Sequence, residues 1–73
     1  MVRREIFVNK IRALDYYFKS KQKRTYLYRK RGGTHFISVP MVDQLEDEFV
    51  ISTLCQAGLS LSEAKSFLAS AKS

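Results

Sequence analysis

The chain has 73 residues, 45% hydrophobic and 27% charged, with three Gly and one Pro. That length holds one small domain, residues 1–73, burying only about 60% of its unfolded surface, and the composition excludes a linker or a disordered tail. Thirteen Lys and Arg against seven acids give a net charge of +6, and the single cysteine excludes a disulfide framework and a multi-cysteine zinc site.

No apolar run approaches the roughly 18 residues of a membrane span, so no membrane partner is expected. Charges interrupt the opening Met1–Arg12 before a signal-peptide core forms. Sparing use of cysteine fits a reducing, cytoplasmic setting.

Residues 2–14 read as a helix, because Phe7, Ile11, Leu14 and Phe18 recur at helical spacing with Ile6 beside them. Asp15 ends it in a turn. Tyr16–Lys19 reads as a first short strand and Ser20–Lys23 as a polar connection. Arg24–Arg31, rich in Thr and Tyr, reads as a second strand. Gly32-Gly33 marks a two-residue hairpin, and Thr34–Val39 is the third strand, ended by Pro40.

The last third is helical. Asp43 stands three residues before Glu46, a capping-box spacing, and Asp47 and Glu48 add charge suited to a first turn. Leu45, Phe49, Val50, Leu54 and Ala57 supply the apolar face, and Gly58 suits a left-handed C-cap. Ser60 and Glu63 repeat the capping box ahead of Leu61, Ala64, Phe67, Leu68 and Ala71. The order α-β-β-β-α-α predicts an α+β fold, a single two-layer domain whose three-stranded antiparallel sheet carries helices on one face. Either Tyr26 and Tyr28 or Leu27 could line the inward face.

Charge divides unevenly. Residues 1–34 carry eleven basic residues and two acids, whereas residues 35–73 carry two basic residues and five acids. A basic half attracts polyanions, nucleic acid above all, because each neutralised phosphate releases counterions. The plain alternative is a solvated face that aids solubility. Lys19, Lys21 and Lys23 fall on one side of an extended chain and can track phosphates, or can protect an edge strand. Tyr26 and Tyr28 alternate with Arg24 and Lys30, an arrangement suited to base stacking between cations or to cross-strand packing. With Arg29 and Arg31 these residues form the candidate RNA-binding set.

Three segments between Leu14 and Leu68 resemble the HicA family of toxins from bacterial toxin–antitoxin pairs. They are Leu54–Leu68, which holds Ala57-Gly58-Leu59-Ser60 and Glu63, the strand end Ile37-Ser38-Val39-Pro40, and Leu14–Lys23. The resemblance implies a fold related to double-stranded-RNA-binding domains, cleavage of mRNA, and inhibition by a HicB-like antitoxin. The family's Gly-Ser-His-His type motif falls, by count from Val39-Pro40, on Lys23-Arg24-Thr25-Tyr26, which has neither Gly nor His. Placing it on Gly33-Thr34-His35-Phe36 leaves too few residues for a strand, a turn and another strand before Pro40. The His that the family carries after Val-Pro is replaced by Met41 and Val42.

Metal-free RNA cleavage needs a base for the 2′-hydroxyl and an acid for the leaving oxygen, and His suits both. His35 is the only histidine. It is the candidate catalytic residue, it would need a Lys, Tyr or carboxylate as second group, and its plain reading is a packed side chain beside Ile37 and Val39. Helix capping accounts for the acids at Asp43–Glu48, so no metal and no cofactor is expected. Two further functions compete: a protein-interaction module that binds an acidic partner, and a DNA-binding helix-turn-helix built on the last two helices. DNA is disfavoured because the would-be recognition helix offers only Lys65 and Lys72, offset by Glu63.

Overall fold

The computed structural model describes residues 1–72. Its elements are β1 (Val2–Arg3), α1 (Arg4–Ala13), β2 (Tyr16–Gln22), β3 (Thr25–Lys30), β4 (Phe36–Pro40), β5 (Gln44–Leu45), α2 (Asp47–Gln56) and α3 (Leu61–Lys72). Strands β2, β3 and β4 form an antiparallel sheet in that order, and β1 pairs antiparallel with β5. The expected α+β architecture is present, with the two-residue ribbon as an addition. Among the described residues no helix is long and apolar enough to cross a membrane.

Helix α1 buries Phe7 and Ile11, one turn apart, against the sheet. It ends at Ala13, and Asp15 follows in the left-handed region at φ 71°, which an Asp tolerates better than most side chains. The core joins Phe7 and Ile11 to Tyr16, Tyr28, Ile37 and Val39 of the sheet, Val50 and Leu54 of α2, and Ala64 of α3. Tyr26 packs at its margin. The tyrosine face of β3 is therefore the inward one, and Leu27 points the other way.

Several boundaries differ from expectation for physical reasons. The first strand runs on to Gln22, because polar residues suit an edge strand whose side chains face water. It carries a bulge between Phe18 and Ser20, so Lys19 has no partner in the ladder. The link after β3 is longer than a two-residue hairpin. Gly32 takes φ 75°, the Gly33 amide donates to the Lys30 carbonyl, and the Lys30 amide donates to the His35 carbonyl.

Asp43 does not cap a helix. Gln44 and Leu45 are drawn into the ribbon, where Val2 faces Leu45 and both are buried, and α2 starts only at Asp47. The second capping box forms in full: the Ser60 amide donates to Glu63 Oε1 at 2.9 Å, and the Glu63 amide donates to Ser60 Oγ at 3.1 Å. Gly58, at φ 107°, closes α2, with the Leu59 amide donating back to the Leu54 carbonyl.

Candidate nucleic-acid interface

The sheet is built from an acid-free stretch. Between Asp15 and Asp43 the chain holds Lys19, Lys21, Lys23, Arg24, Arg29, Lys30 and Arg31 and no carboxylate side chain. Lys19 and Lys21 are exposed on the β2 edge, and Lys23 and Arg24 are exposed in the turn that follows. Arg31 is exposed at the opposite end of the hairpin. Those five are spread along one hairpin whose own strands and turns carry no acid, which favours an approaching polyanion.

The other proposed residues have different fates. Tyr28 is 6% exposed and belongs to the core, so its ring cannot receive a base. Tyr26 is half-buried beneath the Arg4 guanidinium, 5.3 Å from its ring centre. Phe18 covers both tyrosines edge-on, with centroids 6.2 Å and 5.9 Å away. Of the two readings of Tyr26 and Tyr28, packing is the one the geometry realises. Lys30 shares their face: its ammonium donates to the Leu14 carbonyl and lies 5.4 Å from the Tyr16 ring centre.

Strand parity puts a different aromatic set on the outward face. The register aligns Tyr17, Arg29 and Phe36 in one row and Ser20, Leu27 and Ser38 in the next. None of these six is buried, and none packs on the core. Phe36 is 44% exposed. The Arg29 guanidinium lies 5.7 Å from the Phe36 ring centre and donates through Nε to the Gly33 carbonyl at 3.1 Å. The Arg31 guanidinium lies 5.5 Å from the Tyr17 ring centre. Sequence reasoning missed Tyr17 and Phe36. The signal was available in β4: once Ile37 and Val39 are assigned to the core, Phe36 must face away.

His35 lies at the inward edge, just before β4, and is half-buried. Its Nδ1 is hydrogen-bonded to the Tyr16 hydroxyl at 2.6 Å, the two rings meeting edge-on. Burial pushes the Tyr16 hydroxyl up from its ordinary pKa, so it stays protonated at neutral pH. With Nδ1 engaged, Nε2 is the ring nitrogen free for proton transfer. The fold thus brings a Tyr beside the lone His, and through the Tyr16 ring a Lys, on the face opposite the outward Tyr17–Arg29–Phe36 row.

Among the described residues no group of three or more His, Cys, Asp or Glu is placed to hold a metal ion. Cys55 is a half-buried free thiol packed against the core. On α3, Lys72 is engaged by Asp47 at 2.7 Å, which leaves exposed Lys65 as the only other cation of that helix and weakens any reading of α3 as a DNA-recognition helix. Set against family models, curated proteins and solved structures, the chain matches none of them.

Proposed function

We propose that this is a HicA-like RNA-binding protein of a toxin–antitoxin pair, acting in the cytoplasm and held in check by a HicB-like antitoxin. The observation that carries the RNA reading is the acid-free hairpin, with Lys19, Lys21, Lys23, Arg24 and Arg31 all exposed on it. Such a surface gains affinity from every phosphate it neutralises. The antitoxin rests on the family resemblance, and an acidic antitoxin would suit the same surface. Cleavage of mRNA is reduced or lost in this reading. Removing one positioned acid–base group typically costs about 10²–10⁴ in rate, and the chain keeps one His, whose Nδ1 is committed to Tyr16.

Titrating a labelled RNA with the purified protein at several salt concentrations tests this. If each of the five exposed cations meets a phosphate, log affinity falls against log salt with a slope of about −3.5 for a single strand, or about 100-fold between roughly 50 and 200 mM. Arg31→Ala should reduce that slope by about 0.7. Affinity that does not change with salt removes the proposal. In the same preparation, RNA loss that His35→Ala leaves unchanged takes His35 out of the chemistry.

A further inference from the structure

The outward face of the sheet has features that a purely electrostatic role leaves unexplained. Two aromatic rings, Tyr17 and Phe36, stand on it with a guanidinium against each. The row beside them is Ser20, Leu27 and Ser38, whose small outer members keep the surface low around the rings. None of the three helices covers this face, since none of its side chains joins the core. A charged patch that serves only solubility has no use for an exposed Phe beside its arginines.

We infer that this face binds single-stranded RNA, with Tyr17 and Phe36 each stacking one unpaired base. The inference rests on the RNA-binding reading and specifies its substrate class. Tyr17 and Phe36 lie on the two edge strands, separated by β3. Neighbouring strands are about 4.8 Å apart, so the two rings are about 10 Å apart. Neighbouring bases in a helix stack roughly 3.4 Å apart. Two such bases cannot occupy both rings, so the strand must be splayed, as in a loop or an unpaired segment. A duplex keeps its bases inside and would meet only the cations. Arg31 has a stem long enough to leave its ring for an adjacent phosphate, Arg29 must also release the Gly33 carbonyl to do so, and a cation–π contact is weaker than the base–aromatic stacking that replaces it. The hydroxyls of Ser20 and Ser38 lie in the next row, where they can hydrogen-bond bases or ribose.

The chain contains no Trp, so Phe36→Trp creates a single tryptophan, excited apart from the tyrosines, as reporter on this face. With a 12-nucleotide oligouridylate, stacking should quench its emission, while a 16-base-pair duplex or polyglutamate should leave it unchanged. By anisotropy, the double variant Tyr17→Ser/Phe36→Ser should bind the oligouridylate at least about 10-fold more weakly than the parent, with duplex affinity unaltered. Because Tyr17 is half-buried, Phe36→Ser alone serves as the second variant, with a smaller loss in the same direction. If the parent protein binds RNA but the serine variants bind oligouridylate equally well, or if duplex and polyglutamate quench the reporter as much, the stacking inference is overturned while the electrostatic reading stands. If no RNA binds at low salt, both fall.

Discussion

At the residue scale, position relative to the sheet decides what each aromatic does. Phe7 is fully buried between α1 and the sheet and meets Phe49 at 5.8 Å, whereas Phe36 is 44% exposed. Phe7→Ala should therefore cost about 3–5 kcal/mol, while Phe36→Ala should change stability by no more than about 0.5 kcal/mol. Urea denaturation of both variants checks this, and equal losses would contradict the assignment of faces. That assignment was only half legible from the sequence, because β3 carries large side chains at both parities. Tyr28 became a core residue, with Tyr26 at the core's margin, when Phe7 and Ile11 of α1 packed on their side, a contact between residues about twenty apart that no local pattern encodes. Gly58 is the opposite case. A Cβ there meets nothing within 4 Å, but φ 107° strains any L residue. Gly58→Ala should cost about 1–2 kcal/mol, seen as a lower urea midpoint with an unchanged slope.

At the element scale, α3 was legible because its signals are local: Ser60 and Glu63 cap each other across one turn. The identical spacing of Asp43 and Glu46 misleads, because Gln44 and Leu45 find a better partner in Val2 and Arg3, some forty residues away. Helix α3 is tied to the start of α2 through Asp47, which accepts from Lys72 at 2.7 Å and lies 2.8 Å from the Met1 ammonium. The hydrogen bond from Lys72, then the one from the terminal ammonium, holds the Asp47 carboxyl below its ordinary value, and Asp47 raises Lys72 in return. The hydrogen bonds from Ser60 lower Glu63 in the same way. A depressed carboxyl stabilises the fold above its unfolded pKa, and that contribution disappears as pH falls through the lower folded value. The raised Lys72 contributes below its unfolded pKa and loses that contribution as pH rises through the higher folded one. Buried Tyr16, which resists ionisation, also destabilises the fold at alkaline pH. The melting temperature should thus be flat near neutrality and fall at both extremes. Asp47→Asn should shrink both limbs without abolishing either, since Glu63 and Tyr16 remain. A variant whose profile superimposes on the parent's would rule out the Asp47–Lys72 contribution.

At the scale of the whole molecule, the apolar core is confined to one face of the sheet, while cations stand on both. Helices cover one side of the sheet with the apolar core; Arg29 and Arg31 stand on the uncovered side, whereas Lys21, opposite Tyr26, and Lys30 stand on the covered one. The basic half was legible as composition. Its arrangement was not, because Lys30 turned inward to the Leu14 carbonyl and Tyr17 and Phe36 turned outward. A 73-residue domain has roughly 4–11 kcal/mol of net stability, so the loss expected for Phe7→Ala is a large share of the total, whereas exposed Phe36 carries little of it. The ribbon between β1 and β5 adds a constraint in time. Val2 cannot meet Leu45 until everything between them has been made, and closing a loop that long costs roughly 3 kcal/mol of chain entropy beyond a constant. During synthesis, therefore, the leading helix emerges with Phe7 and Ile11 uncovered and waits for the rest of the chain, and a ribosome paused before residue 45 holds a nascent protein open to chaperones or to proteolysis.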